Sequence, residues 1–193
     1  MGKRLAILPL FLVAFLVLAV SILRTASVKY VFSQAPSPVP ETPEIASIDY
    51  ARPEPELTPE SPLWPVKALL DMGEQSPQKH LENADIRLVA GLRMFEGGKV
   101  EEAILVLEKA ELHLKRSLDA AVETGDLPES GEILYTISVA SLKHREVLET
   151  ILPRMPEDGK AVITKILDIP KTVYNGSSSE LVKAGLIAPE YPF

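Results

Sequence analysis

The sequence predicts an all-α fold, an antiparallel helical bundle of about four main helices plus a short leading helix. Apolar residues recur at intervals of three and four from residue 65 onward. Glycine and proline residues divide these stretches, and no stretch shows the alternating pattern of a strand. One transmembrane helix and a disordered proline-rich linker are predicted to precede the bundle. The predicted divisions are an anchor at 1–30, a linker at 31–61, the bundle at 62–175 and a C-terminal tail at 176–193.

The first division carries a long apolar segment. Residues 5–23 are 19 residues without a charge, or about 28 Å of helix, close to the thickness of a bilayer core. Two basic residues precede the segment and two follow it, and the slight positive-inside bias favours an N-terminus in the cytoplasm and a C-terminal domain outside. The length favours an uncleaved signal anchor. Small residues at 25–27 and 33–35 leave a cleaved signal peptide open.

The second division is rich in proline and acid. Between residues 32 and 62 lie eight of the 17 prolines, with six acids and one base. Such a stretch cannot bury enough apolar surface to fold, which predicts an extended spacer. The alternative is a docking site for a partner, since Pro40 and Pro43 have the PxxP spacing, but no basic residue flanks them.

The bundle opens with "SPLWPVKALL", which contains the only tryptophan, Trp64. A short helix is predicted from Pro65 to about Met72, ending at Gly73. The position of Trp64 at the start of the bundle predicts that its large ring plugs the open end of the bundle. Its indole N–H is expected to donate a hydrogen bond to a polar group. The alternative is an exposed ring that contacts a ligand.

Two long helices then form a predicted hairpin. Ser76 and Pro77 are a good N-cap and first residue, and Gly97-Gly98 forms the turn before a second helix at about 99–123. The inward positions of the first helix are predicted to be Leu81, Ala84, Leu88, Gly91 or Leu92, and Phe95. Those of the second are Val100, Ala103, Leu107, Ala110, Leu114, Leu118 and Ala121.

A second pair of helices follows. The third is predicted from Pro128 to Leu152, with Ile133, Ile137, Ala140, His144, Val147 and Ile151 inward. Pro153 and Pro156 mark a turn, and a fourth helix begins near Glu157 with Val162, Ile163, Ile166 and Leu167 inward. Pro170 is expected to end or kink this helix. The stretch "NGSSSE" from Asn175 is predicted to be a loop before a loose tail.

Charge and composition exclude several classes of function. The net charge is −7, and the acids all lie after residue 30, where 27 acids face 16 bases. A nucleic-acid-binding protein needs a basic face, so this balance argues against one. The chain has no cysteine, which excludes disulfides, thiolate metal sites and cysteine nucleophiles.

No motif predicts catalysis, a metal or a cofactor. The histidines His80, His113 and His144 are far apart in sequence, without the i, i+3 or i, i+4 partners that place metal ligands on one helical face. His144 lies in an apolar stripe, which predicts a hydrogen-bonded, semi-buried residue. Gly97 and Gly98 follow no strand, so they predict a hairpin turn rather than a phosphate loop. The candidate structural or interaction residues are Trp64, Gly97, Gly98 and His144.

Several blocks together resemble a bacterial family, domain of unknown function 5667. They are the anchor with its proline linker, "SPLWPVKALL", "LENADIRLVAGLRMFEGGKVEEAILVLEKAELHLKRSLDAA" and "LKHREVLETILPRMPEDGKAVITKIL". The resemblance covers about residues 60–175, with Trp64 where the family usually has tyrosine or phenylalanine. It implies a membrane-anchored helical domain and brings no activity or cofactor. A weaker likeness to one tetratricopeptide unit lacks a second copy at the required period of about 34 residues.

These observations predict a non-enzymatic, membrane-anchored extracytoplasmic domain with a structural or protein-interaction role in the cell envelope. Its expected partners are the membrane, through residues 5–23, and another envelope protein; no nucleic acid or small-molecule substrate is expected. The alternative is a sensor domain that binds a small ligand or metal between helices. A cleft that gathers His144 with acids would favour the sensor, and a continuous apolar core would oppose it.

Overall fold

Four long helices make up most of the described chain. The computed structural model describes residues 48–50, 76–124 and 129–192. The elements are α1 (Pro77–Glu96), α2 (Val100–Thr124), α3 (Glu129–Ile151), a 3-10 turn (Leu152–Arg154) and α4 (Glu157–Lys183). No strand occurs in the described residues, so the all-α class with four main helices is confirmed for this part of the chain. The predicted anchor, leading helix and Trp64 lie outside the described residues.

Helices α1 and α2 form the predicted hairpin. The Ser76 hydroxyl accepts a hydrogen bond from the Lys79 N–H at 3.2 Å and caps α1. At the other end, the N–H groups of Gly98 and Lys99 bond back to the carbonyls of Phe95 and Met94. Gly98 has a φ of 79°, the left-handed conformation that this type of C-cap requires and that glycine adopts without steric cost. The predicted glycine turn is therefore confirmed.

Helices α2 and α3 each contact the other three helices. The predicted stripe of α1 is buried, with Gly91 rather than Leu92 inward. The stripe of α2 is buried except for Leu118, which is half-buried. One core cluster joins all four helices: Leu81, Ala84, Leu114, Ala121, Leu134, Ile137, Ala140, Val173 and Leu181.

Helix α4 is longer than predicted. It continues through Pro170 and "NGSSSE" to Lys183, so the loop predicted from Asn175 is wrong. Inward residues keep the helical spacing beyond the proline: Val173, Ser177 and Leu181 are all buried. The Ser177 hydroxyl bonds to the Val173 carbonyl at 2.9 Å and to the Ser138 hydroxyl at 2.6 Å. Burial of this face outweighs the low helix propensity of the polar run.

The residues after α4 pack against the bundle. Gly185, with a φ of 74°, closes the helix in the same way as Gly98. The chain then turns back, and the Tyr174 hydroxyl donates to the Pro189 carbonyl at 2.8 Å. The Tyr191 ring lies 5.0 Å from that of Tyr174 and 5.0 Å from the Arg145 guanidinium carbon. The loose tail predicted after 175 is therefore wrong for residues 176–191.

Three residues within the range predicted as linker also contact the bundle. The Ile48 N–H donates to Glu146 Oε2 at 2.8 Å, and the Tyr50 hydroxyl donates to Asp85 Oδ2 at 2.8 Å. Tyr50 is half-buried against the core cluster. Contacts with the bundle therefore begin before the predicted boundary at residue 62.

Candidate functional site

A histidine lies in the interior where three helices meet. His144 on α3 is completely buried, more deeply than the semi-buried position predicted. Its Nδ1 is 2.8 Å from Glu111 Oε1 on α2. Its Nε2 is 3.1 Å from Asp85 Oδ1 on α1. We call His144, Asp85 and Glu111 the buried triad.

The geometry favours a charged imidazole. Both ring nitrogens face carboxylate oxygens, and only the imidazolium donates from both nitrogens. Burial by itself would lower the pKa of His144. The negative charge of Glu111, the hydrogen bonds to Asp85 and Glu111 and the charge of Asp85 outweigh burial and raise this pKa to about 10. His144 is therefore positively charged at neutral pH, and the predicted hydrogen-bonded role is confirmed.

Tyr50 extends the buried triad toward the surface. Its hydroxyl donates to the Asp85 oxygen that does not face His144. Burial, the negative charge of Asp85 and this hydrogen bond all raise the pKa of Tyr50 above its ordinary value. Tyr50 is therefore a neutral donor, and Asp85 accepts one bond from a cation and one from a phenol.

The buried triad holds charge but is poorly arranged for acid–base catalysis. Each ring nitrogen of His144 is occupied by a carboxylate, so neither is directed at a substrate. Glu111 Oε2 is buried without a hydrogen-bond partner. Two carboxylates and one imidazolium leave one negative charge in the interior, which is costly unless neighbouring dipoles compensate it.

A cleft opens beside the buried triad, between the first halves of α1 and α3. Its volume is about 440 Å³. Asp85 and Tyr50 line the cleft and also belong to the hydrogen-bond chain of His144. The other lining residues are Gln78, Leu81, Glu82, Glu132, Ile133 and Thr136. A cleft that gathers His144 with acids would favour the sensor hypothesis, but His144 lies behind Asp85 and does not line the cleft.

The other sequence-predicted residues lie elsewhere. Gly97 and Gly98 form the turn of the first hairpin, about 18 Å along α1 from Asp85 at ~1.5 Å per residue. Trp64 lies outside the described residues, so its role as a plug stays a prediction. The structure therefore brings neither glycine to His144.

The remaining histidines meet in space. His80 on α1 and His113 on α2 have ring centres 5.7 Å apart, although 33 residues separate them. The sequence spacing alone did not predict this contact, which arises because the antiparallel hairpin aligns the two residues. Among the described residues, no group of three or more histidine or acidic side chains is placed to hold a metal ion.

Sequence reasoning missed Asp85 and Glu111, although a signal existed. Asp85 falls four residues after Leu81 and three before Leu88, and Glu111 falls at the same spacing between Leu107 and Leu114. Both acids therefore occupy inward positions of their apolar stripes. An acid within such a stripe needs a buried cation or donor, and His144 was the available histidine in an apolar stripe.

No helix of the described residues is long and apolar enough to cross a bilayer, and the predicted segment at 5–23 is not among them. The resemblance to domain of unknown function 5667 stays a prediction. No family model, curated protein or solved structure matches the chain.

Proposed function

We propose that the chain is a non-enzymatic helical domain, held outside the cytoplasmic membrane by its N-terminal segment, that binds another protein of the cell envelope. The observation that carries this proposal is a set of exposed apolar side chains near the C-terminal ends of α2 and α4, at one end of the bundle. Its members are Val122 at the end of α2, and Val182, Leu186 and Ile187 at the end of α4. Val182 is 63% exposed and Ile187 88% exposed.

This apolar end has a defined shape. Leu186 lies against the first turns of α3, where a Cβ on Gly131 would meet its Cδ1 at 2.7 Å. A small cleft of about 150 Å³ opens near Val122, and its lining is mixed: Ala121, Val122, Leu134 and Ala184 are apolar, and Ser130, Glu180 and Lys183 are polar or charged. Exposed apolar side chains gathered beside a cleft are typical of protein-interaction surfaces. The occupied ring nitrogens of His144 favour a non-enzymatic role.

Site-specific photo-crosslinking in intact cells tests this proposal. A photoreactive side chain at position 187 is expected to crosslink one or a few envelope proteins. The matched control is position 112 on α2, where the exposed Leu112 lies about 15 Å from Val122 along the helix at ~1.5 Å per residue. Equal crosslinking from both positions, or none from 187, would contradict an interaction surface at this end.

The sensor hypothesis retains one supporting observation, the cleft beside Asp85. Three carboxylates line it, those of Glu82, Asp85 and Glu132, so a bound ligand would be cationic. Thermal unfolding with divalent cations and organic amines tests this second candidate. A ligand that raises the melting temperature of the native chain should do so less for Glu132→Gln. The variant Glu123→Gln, an exposed acid at the end of α2, is the control.

A further inference from the structure

The first hairpin gathers basic side chains on one face, although the protein as a whole is acidic. His80 and Arg87 lie two turns apart on α1, with Asn83 between them. On α2, His113 and Arg116 lie three residues apart. Residues at these spacings share one side of a helix, and the contact between the two histidine rings joins the two sides. We call His80, Arg87, His113 and Arg116 the basic face.

Three acids of the same stretches have partners away from the ring pair, and Glu108 on α2 also has a partner. Asp85 and Glu111 hold His144 in the interior, and Glu82 pairs with Lys79 at 3.0 Å. Arg87 Nη1 donates to the carbonyl and side-chain oxygens of Asn83 at 3.0 and 3.1 Å.

The two histidines contain unmet hydrogen-bonding groups. Nδ1 of His80 and Nδ1 of His113 are both buried without a partner, a costly arrangement for polar atoms. Arg116 is exposed beside them. An oxygen-rich ligand beside the ring pair would supply acceptors to this arginine and to each imidazole nitrogen that carries a proton.

Electrostatics also favour an anion. Burial, followed by the charge of Arg116, lowers the pKa of His80. Burial, followed by the charges of Arg87, Arg116 and His80, lowers the pKa of His113 to about 3. Like charges held together oppose protonation, and a bound anion removes that opposition. Two imidazoles at this distance would otherwise be plausible metal ligands, but the arginines repel a divalent cation.

We propose that the basic face binds a phosphate group. Arginine pairs with phosphate oxygens through two parallel N–H bonds, and tetrahedral phosphate offers further oxygens to imidazoles on a second helix. Binding favours proton uptake by the histidines. The affinity for phosphate therefore increases as the pH falls from 8 toward 6.

Calorimetric titration of the full-length chain in a non-ionic detergent with inorganic phosphate, at constant ionic strength, tests the proposal. Saturable binding at one site is expected, with proton uptake measured from the heats in two buffers of different ionisation enthalpy. Arg116→Gln should weaken binding about tenfold, the value of one charge-assisted pair. His113→Gln should weaken binding and reduce the proton uptake.

The matched control is Lys115→Gln. Lys115 is the neighbour of Arg116 and carries the same charge, but it pairs with Asp119 at 2.6 Å on another side of the helix. Lys115→Gln should change the affinity for phosphate less than about twofold, because Lys115 belongs to an exposed ion pair. Equal weakening by Arg116→Gln and Lys115→Gln would show that only the net charge matters, and this result would overturn the proposal.

A second titration identifies the source of the phosphate. Glycerol 3-phosphate carries the phosphate monoester of a lipid headgroup in soluble form. Tighter binding of this compound than of inorganic phosphate assigns the face to headgroups, and the reverse order assigns it to free phosphate. Absence of saturable binding by either compound at pH 6 overturns the proposal.

Discussion

At the scale of single residues, His144 is the most constrained side chain of the described bundle. It carries a positive charge in the interior because two carboxylates require it there. Among the described residues, neither carboxylate has another cation as a hydrogen-bond partner: Asp85 has Tyr50, and one oxygen of Glu111 has no partner. The three charges therefore form one unit, and loss of one member leaves the others uncompensated.

Replacing His144 with leucine should destabilise the fold strongly. The change leaves Asp85 and Glu111 buried without a cation, which typically costs about 3–5 kcal/mol. Urea unfolding measures the loss, and Lys115→Gln, a surface-pair variant, should change stability by less than about 1 kcal/mol. Adding Asp85→Asn and Glu111→Gln to the leucine variant removes the unpaired charges and should recover part of the loss. A leucine variant as stable as the native chain would contradict this account.

The stability of the fold should fall as the pH rises from 7 to 9.5. His144 has a pKa of about 10 when folded, against ~6.5 when unfolded. Its contribution is complete below the unfolded value and is lost as the pH rises through the folded value, by at most about 1.4 kcal/mol per pH unit.

Other shifted groups act outside this range. The raised pKa of Tyr50 acts above pH 10, and the lowered pKa values of His80 and His113 act below about pH 6.5. Urea unfolding at several pH values should therefore show a slope that His144→Leu abolishes. A slope unchanged in that variant would assign the effect to other groups.

At the scale of elements, the close approach of α1 and α2 depends on one glycine. A Cβ at Gly91 would lie 2.7 Å from Leu107 Cγ and 2.8 Å from its Cδ2. The Leu107 side chain is fully buried, and Cγ is a branch point that cannot move without its whole side chain. The close spacing of α1 and α2 therefore requires a residue without a Cβ at position 91.

Gly91→Ala should destabilise the fold although alanine is the better helix former. Overpacking of a tight core costs about 1–3 kcal/mol, more than the gain in helix propensity of roughly 0.5–1 kcal/mol. Gly176→Ala is the matched control within α4. There the Cβ would meet Cδ2 at the end of the half-buried Leu118, which has room to turn away. Thermal unfolding should show a lower midpoint for the first variant and an unchanged or higher one for the second. The reverse order would contradict the close packing.

At the scale of the whole molecule, the periodicity of apolar residues was sufficient to predict the main helices. It did not predict how the helices align along their axes, and it did not predict where α4 ends. The buried stripes of α1 and α2 followed from three- and four-residue spacing alone. The triad did not, because its members come from three helices and meet only when those helices pack with one particular axial alignment. Pro170 and the serine run predicted an end that tertiary burial of Ser177 and Leu181 overrides.

The contacts of Tyr174, Gly185 and Tyr191 give the C-terminal residues a measurable role. A chain truncated after residue 175 loses Ser177 and the fully buried Leu181. Removal of a buried leucine side chain alone costs about 2–5 kcal/mol, so this truncation should unfold at much lower urea than the full chain. A chain truncated after residue 185 keeps all of α4 and loses the Tyr191 ring stacked on Arg145, a contact worth about 0.5–2 kcal/mol. Its unfolding midpoint should lie between the other two. Equal midpoints for the full chain and the chain ending at 175 would contradict this prediction. They would show that the last turns of α4, including Leu181 of the core cluster, do not stabilise the fold.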